Sequence, residues 1–178
     1  MKSILSIFLI FHLFSSSLGA AESFYLMPRD GSIAVKALAN DLRHANKSIK
    51  IAIYSFTHRE LANAIKAAAN RGVDVTIIFD QASNTAKSYT RLGDLAKLNH
   101  IKTYTLSGLP NKKRGYMGKM HMKLAIIDGK TVYLGSANWS YSAFSRNYEL
   151  LYSTDSPDIA RDSASYFNEM LKASTPYD

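Results

Sequence analysis

The feature that most constrains the fold of this chain is an alternation of two kinds of segment. Short β-branched apolar runs such as IKIAIYSF (49–56) and VDVTIIFD (73–80) are typical of buried strands. Between them, ELANAIKAAAN (60–70) has the pattern of an amphipathic helix, and Arg71-Gly72 is a signal that ends a helix. Strands that alternate with helices predict an α/β domain.

The same alternation continues on both sides of this segment. The predicted strands are residues 23–28, 49–56, 73–80, 101–106 and 147–154, and two further strands flank a tight turn at Gly129-Lys130. The predicted helices are residues 32–46, 60–70, a weaker helix at 84–98, and a last helix that begins at Ser156-Pro157. The core-facing residues expected on that last helix are Ile159, Tyr166, Phe167, Met170 and Leu171. The sequence therefore predicts a single α/β domain with a mixed, mostly parallel β-sheet flanked by helices on both faces.

Residues 1–21 have a different character. Lys2 precedes an apolar stretch from Ile4 to Phe14, and small residues follow up to Ala21. This order is typical of a secretory signal peptide, and the stretch is shorter than the ~20 residues of a membrane-spanning helix. We expect a signal peptide at 1–21, a domain at 22–178 and a periplasmic, secreted or outer-membrane-associated location, with an uncleaved membrane anchor as the alternative.

Charge and cysteine content limit the partners and cofactors of such a domain. The formal net charge is +8, and Lys2 is the only charged residue of segment 1–21. A basic exported domain suits polyanions such as nucleic acid, anionic lipid or cell-surface polymers. The chain contains no cysteine, which excludes disulfides and cysteine-based zinc sites.

The stretch HMKLAIIDGKTVYLGSANWS (121–140) carries the chemistry. His121 and Lys123 are two residues apart and therefore share one face of a strand. The adjacent cation lowers the pKa of the histidine, which keeps the imidazole neutral and nucleophilic, and the lysine can bind an anion. A lone His-x-Lys is common on protein surfaces, but the complete spacing is specific: His121-x-Lys123-x4-Asp128-x6-Gly135-Ser136-x-Asn138.

This spacing resembles the His-Lys-Asp signature of the phospholipase D superfamily. In addition, YSFTHRELANAIKAAANRGVDVTIIFD (54–80) resembles the strand–helix–strand segment of the small Nuc-type bacterial endonucleases of that superfamily. The resemblance extends over roughly residues 24–172. It implies the phospholipase D/nuclease fold and a phosphodiesterase or endonuclease activity.

The resemblance also implies a role for each residue of the signature. His121 would attack phosphorus and form a covalent phosphohistidine that water then resolves, while the neighbouring side chains would hold the non-bridging oxygens: Lys123, Ser136 and Asn138. Glu149 would orient the histidine of its own or a partner chain, with an ordinary solvated strand residue as the alternative. Asp128 is included in the signature, and we expect it to anchor backbone N–H groups of its turn.

The chain contains one copy of the signature, whereas larger superfamily members contain two. The reaction needs one imidazole to attack and another to protonate the leaving oxygen. Neither His44 nor His58 has a lysine two residues further on, and His100-Ile101-Lys102 lacks the aspartate and Gly-Ser-x-Asn of the signature at the required spacing. We therefore expect a two-fold symmetric homodimer that shares one active site. The lysines would stabilise the phosphate charge, so no metal or other cofactor is expected.

The surroundings of the signature suggest the substrate. The candidate substrate-binding residues are Lys112, Lys113, Arg114, Tyr116 and Lys119 of a loop at 107–119, together with Trp139. They could neutralise phosphates and stack a base, although a solvated loop and a packed tryptophan are the alternatives. We expect a sequence-nonspecific nuclease that prefers single-stranded DNA, with duplex DNA and RNA as further candidate substrates.

Two other functions remain open. One is a lipid phosphodiesterase of the phospholipase D or cardiolipin-synthase type, and the other is a non-catalytic DNA-binding component of a DNA-uptake apparatus. A lipid enzyme needs an apolar or amphipathic surface that reaches a bilayer, and no long apolar loop or basic amphipathic helix follows residue 21. The sequence therefore favours the nuclease.

Overall fold

One β-sheet organises the residues that the computed structural model describes, 20–85 and 90–177. Its strands are β1 (Glu22–Met27), β2 (Ser48–Ile53), β3 (Asp74–Asp80), β4 (Ile101–Asn111), β5 (Tyr116–Lys119), β6 (Lys123–Ile127), β7 (Thr131–Gly135), β8 (Glu149–Thr154) and β9 (Thr175–Pro176). The helices are α1 (Gly31–His44), α2 (Arg59–Asn70), α3 (Gln81–Asn84), α4 (Leu92–Ala96), α5 (Tyr141–Ser145) and α6 (Pro157–Ala173). Apart from residues 20 and 21, the predicted signal peptide at 1–21 lies outside the described residues.

The sheet is mixed, with the strand order β1-β8-β7-β6-β2-β3-β4-β5 and β9 paired to β4. Among the described strands, β2–β3 and β3–β4 are the parallel pairs, and the others are antiparallel. The predicted mixed sheet and single domain are confirmed, but the expectation of a mostly parallel sheet is wrong. Helices connect the parallel neighbours β2, β3 and β4, whereas β6, β7 and β8 follow one another as antiparallel neighbours.

Helices cover both faces of the sheet, as predicted. On one face, α1 and α2 bury residues including Leu38, Leu42, Leu61 and Ile65. On the other face, α6 buries three residues, Ala160, Phe167 and Met170. Tyr166 was expected in that core but is 53% exposed. No helix within the described ranges is both long and apolar enough to cross a membrane.

Two segments between strands differ from their predicted structures. The weak helix expected at 84–98 is replaced by the short helices α3 and α4, and residues 86–89 between them lie outside the described part of the chain. The loop expected at 107–119 is a β-hairpin formed by β4 and β5. Two facing glycines allow it, because a Cβ added to Gly108 would lie 2.6 Å from the backbone of Gly118. We call residues 107–119 the basic hairpin.

Candidate active site

The strand pairing brings the signature residues to one end of the sheet. Antiparallel pairing of β6 with β2 places Lys123 opposite Ile53, so His121 lies just beyond the carboxyl end of β2. The segment after β7 returns to the same place, because the N–H of Trp139 donates to the carbonyl oxygen of Ser55 at 3.0 Å. Residues 121–123 and 136–139 therefore lie together at the end of the sheet where the parallel strands β2 and β3 finish.

His121 and Lys123 share a face and are in contact. The Nζ atom of Lys123 lies 3.1 Å from Nδ1 and 3.2 Å from Nε2 of His121, and it donates to the His121 carbonyl oxygen at 2.9 Å. The imidazole is exposed, whereas the lysine is only 6% exposed. An accessible imidazole is thus held directly against a largely buried ammonium group.

The charges around His121 favour its neutral form. Partial desolvation of the imidazole by its neighbours is the first cause that lowers its pKa, and the positive charges of Lys123 and Lys119 lower it further. The carboxylates of Asp80 and Glu149 act in the opposite direction but do not reverse the shift. A neutral imidazole has the free lone pair that a nucleophile requires.

Ser136, Asn138 and Glu149 lie at the same end of the sheet. The hydroxyl of Ser136 is hydrogen-bonded to the Glu149 carboxylate and accepts the N–H of Leu150 at 3.1 Å. A glycine precedes it by necessity, because a Cβ on Gly135 would lie 2.3 Å from the Leu150 carbonyl oxygen. The Asn138 Oδ1 atom is buried and lacks a hydrogen-bond partner within the described ranges. Its amide nitrogen is the end left to contact a substrate.

Asp128 lies at the opposite end of β6 and does not reach His121. Its carboxylate accepts the backbone N–H groups of Asn46 at 2.9 Å, Lys47 at 2.7 Å and Ser48 at 3.0 Å. Burial alone would raise the pKa of Asp128, but these hydrogen bonds outweigh burial and lower it. The aspartate of the signature therefore anchors backbone N–H groups, as expected, although they belong to the α1–β2 connection rather than to its own turn.

The candidate substrate contacts separate into two groups. Trp139 is 1% exposed and packs edge-on against Phe56 with ring centroids 5.0 Å apart, so its assignment to substrate binding is wrong. Residues 112–114 are exposed at the tip of the basic hairpin, and Tyr116 is exposed on β5. Lys119, at the base of the hairpin, is close enough to lower the pKa of His121.

Sequence reasoning missed two residues that contact this site. The Tyr54 ring lies 4.3 Å from the His121 ring, and the Asp80 carboxylate accepts the N–H of Met120 at 2.9 Å. Tyr54 follows the parallel strand β2, and Asp80 ends its parallel neighbour β3. Polar side chains at the carboxyl ends of neighbouring parallel strands are a recognised signal of a site. That signal was available in the sequence at FD (79–80) and YSF (54–56), where each strand ends.

Open cavities flank the imidazole. One of about 340 Å³ extends between the basic hairpin and α6, and another of about 460 Å³ lies between β6, β7 and α6; His121 lines both. A third, of about 450 Å³, is lined by Ser136 and Glu149. The part of the chain that the structure describes contains no cluster of three or more histidine, aspartate or glutamate side chains suited to a metal ion.

A family model described as "Cardiolipin synthase, PLD-like domain" matches residues 38–171, which is most of the chain. The chain belongs to the phospholipase D superfamily. The sequence-based assignment to the enzymes of this superfamily is confirmed, and so is the expected fold.

Solved phospholipase D-like structures resemble the whole described domain. NucT from Helicobacter pylori is 42% identical with a TM-score of 0.87, and the match covers 89% of this chain and 99% of that one. Nuc from Salmonella typhimurium, a phospholipase D family member, is 26% identical with a TM-score of 0.72, and the match covers 89% and 98%.

Curated relatives resemble a smaller share of their own length. The mitochondrial cardiolipin hydrolase of Danio rerio is 29% identical over 139 residues, which is 78% of this chain and 57% of the relative. The cardiolipin hydrolases of two Xenopus species are matched over 60% and 63% of their length. The chain therefore spans less than two thirds of these relatives.

Proposed function

We propose that this protein is a metal-independent, sequence-nonspecific endonuclease that hydrolyses DNA phosphodiester bonds and prefers single strands. The observation that carries the proposal is the exposed imidazole of His121, held 3.1 Å from the buried ammonium of Lys123 beside a basic hairpin. The likeness to NucT and Nuc, two solved phospholipase D-like structures, supports a nuclease.

In the proposed mechanism, the neutral imidazole of His121 attacks the phosphorus atom. A nitrogen–phosphorus bond forms, the bond to one ester oxygen breaks, and a second imidazole protonates that leaving oxygen. The same second imidazole then removes a proton from water, which attacks phosphorus and releases His121 from the phosphohistidine. Lys123 and the Asn138 amide nitrogen hold the non-bridging oxygens and stabilise their charge.

The second imidazole comes from a second copy of the chain in this proposal. Tyr25 and Leu151 pack into the core beneath α1, whereas Phe24, Leu26 and Leu150 point to the opposite face of β1 and β8 and are exposed. Phe24 is 58% exposed, and contiguous exposed apolar residues of this kind mark interaction surfaces. This apolar face begins next to Glu149 and supplies a surface for a symmetric dimer.

Glu149 fits such a dimer. Its carboxylate is hydrogen-bonded to Ser136, and the described residues contain no hydrogen bond between Glu149 and His121 of the same chain. We therefore propose that Glu149 of one protomer orients His121 of the other. A carboxylate that accepts one imidazole N–H fixes the tautomer and leaves the other nitrogen free to attack.

Subunit mixing tests the shared site. Wild-type protein is unfolded and refolded with increasing fractions of His121→Ala protein at constant total concentration, and DNA cleavage is measured. If each site needs two histidines, activity falls with the square of the wild-type fraction. Lys66→Ala, on the partly exposed side of α2, is the control and should leave activity unchanged. A linear fall with His121→Ala would contradict the shared site.

A lipid phosphodiester is the second candidate substrate. The cavity of about 340 Å³ beside His121 is lined by apolar residues, including Leu106, Met120, Met122 and Met170. The relatives named as cardiolipin hydrolases add to this possibility. We favour DNA because the basic hairpin projects beside the same imidazole and can neutralise several phosphates of one strand.

A substrate panel distinguishes these functions. Purified protein is incubated with single-stranded DNA, duplex DNA, RNA, phosphatidylcholine vesicles and cardiolipin vesicles, with a chelator present and with His121→Ala as the control. We expect fastest cleavage of single-stranded DNA, and none by the variant. Faster hydrolysis of cardiolipin would favour the lipid enzyme, and DNA binding without cleavage would favour the uptake component.

We also propose that the protein is exported. The support is the order of charged, apolar and small residues in segment 1–21. Association with a membrane would then depend on retention of that segment. N-terminal sequencing of the protein from cell fractions tests this: a mature chain beginning near residue 22 is expected, and a full-length chain in the cytoplasm would contradict export.

A further inference from the structure

Asp80 holds the backbone that leads into His121. It ends β3, is 1% exposed, and uses both carboxylate oxygens. Oδ2 accepts the N–H of Met120 at 2.9 Å, and Oδ1 accepts the N–H of Ser83 at 2.9 Å, where it caps α3. Because Met120 immediately precedes His121, the position of the imidazole depends on this buried carboxylate.

Tyr54 supports the same imidazole from the side. Its ring lies 4.3 Å from the His121 ring at an interplanar angle of 57°. The Nζ atoms of Lys123 and Lys119 lie 5.1 Å and 5.5 Å from the centroid of the tyrosine ring, within the range of cation–π attraction. Ser83 and, after it, Lys119 interact with the hydroxyl and lower the pKa of Tyr54.

These contacts form a closed loop around His121. Asp80 fixes the backbone before the imidazole and also the N–H of Ser83, the Ser83 side chain acts on the Tyr54 hydroxyl, and the Tyr54 ring contacts the imidazole. We propose that Asp80 and Tyr54 are positioning residues that hold His121 and its two lysines in the geometry for attack. This inference rests on the proposed phosphodiesterase function and assigns neither residue a contact with substrate.

The same set of contacts also determines the electrostatic environment of His121. The groups that act on the imidazole are the cations Lys123 and Lys119 and the carboxylates Asp80 and Glu149, with the Tyr54 ring in contact. Asp80 is the carboxylate among them that is buried at 1% exposure and fixed by two backbone N–H groups. Removal of its charge should therefore lower the pKa of His121.

The first experiment compares Asp80→Asn with Asp74→Asn. Asp74 begins the same strand, and its exposed side chain lies at the other end of β3, so this control removes an equal charge away from the site. Asp80→Asn places an amide N–H2 against a backbone N–H and should displace His121. We expect kcat to fall about 10- to 100-fold, the loss typical of a ~1 Å misplacement, with little change in KM. Asp74→Asn should behave as wild type.

The pH dependence separates positioning from a general loss of structure. His121 attacks in its neutral form, so kcat/KM rises with pH as His121 loses its proton. A lower pKa in Asp80→Asn moves this acid limb to lower pH. A variant that is merely less stable would keep the wild-type limb, and that result would overturn the role of Asp80.

Variants of Tyr54 test the contact between its ring and the His121 ring. Tyr54→Leu removes the ring, whereas Tyr54→Phe keeps the ring and loses only the hydroxyl, on which Ser83 and Lys119 act. We expect a large loss of kcat with leucine and a partial rescue with phenylalanine. Ser83→Ala, which keeps its backbone bond to Asp80, should match Tyr54→Phe. Equal activity of the leucine variant and wild type would overturn the role of Tyr54.

A nuclear magnetic resonance titration of the histidine side chains gives a readout that needs no catalysis. His121→Ala identifies the His121 signals, and their titration is followed in wild type, Asp80→Asn and Asp74→Asn. The midpoint should move to lower pH in Asp80→Asn and not in Asp74→Asn. An unchanged midpoint in a folded Asp80→Asn protein refutes the inference. A wild type that cleaves no phosphodiester refutes the proposed function instead.

Discussion

Asp128 provides the sharpest test, because the signature includes it and the structure places it away from the imidazole. Its carboxylate accepts backbone N–H groups from Asn46, Lys47 and Ser48. It also has φ of +55°, a left-handed conformation that asparagine tolerates better than most residues. Asp128→Asn therefore removes the charge and one acceptor without adding backbone strain.

The magnitude follows from the three donors. A hydrogen bond to a charged group contributes about 1.5–3 kcal/mol where the donor is shielded from water. Water can replace the carboxylate at the exposed Asn46 and Lys47, but less readily at the partly buried Ser48. We expect a loss of about 2–3 kcal/mol in the free energy of unfolding, which lowers Tm by roughly 4–12 °C in a domain of this size.

Urea unfolding of the wild type, Asp128→Asn and Asp74→Asn measures this loss. Asp74 pairs with Ser48 in the sheet and its side chain is exposed, so Asp74→Asn controls for charge near the anchor. The folded state lowers the pKa of Asp128, so its contribution is complete above the unfolded value of ~3.9 and is lost as pH falls through the folded pKa. The difference between wild type and Asp128→Asn should therefore shrink below about pH 4.

Activity decides between an anchor and a catalytic group. At a temperature where both proteins are folded, Asp128→Asn should retain kcat close to that of the wild type. A variant of full stability that has lost kcat would refute the anchoring role. A stability difference that persists unchanged at acidic pH would refute the attribution to the charged carboxylate.

Three further predictions concern the rest of the site. Trp139→Ala removes a buried ring and should cost about 3–5 kcal/mol in urea unfolding; an unchanged midpoint with weaker DNA binding would restore its role as a substrate contact. Gly135→Ala forces a Cβ against the Leu150 carbonyl and should lower kcat about 10- to 100-fold by displacing Ser136, measured against the control Gly93→Ala, where a Cβ meets open space. Alanine at all three positions 112–114 should reduce the slope of log K against log salt for single-stranded DNA by about 2; an unchanged slope would place the DNA elsewhere.

Much of the fold could be predicted because its local signals agree with the tertiary structure. The helix at 60–70 is present as Arg59–Asn70, and Gly72 ends it with φ of +89°. The last helix begins at Pro157, as its Ser-Pro start predicts. The main error was the expectation of a mostly parallel sheet, because the sequence pattern of a β-branched strand is the same whether its neighbour is parallel or antiparallel.

The site could be predicted only where a local pattern encodes it. A separation of two residues on an extended segment predicts that His121 and Lys123 share a face, and the contact between their side chains confirms it. The burial of Trp139 depends on Phe56, and the support of His121 depends on Asp80; both are contacts between segments that are distant in sequence. Periodicity within one strand carries no information about such pairs.

The direction of β1 has a consequence for how this protein could be attached to other structures. Glu22 pairs with Thr154 at one end of the sheet, and Met27 pairs with Glu149 at the end that holds His121. Whatever precedes residue 20 therefore joins the domain at the end remote from the imidazole. A tether, label or fusion partner at the amino terminus would therefore leave the end of the sheet that holds His121 accessible to a long polymer.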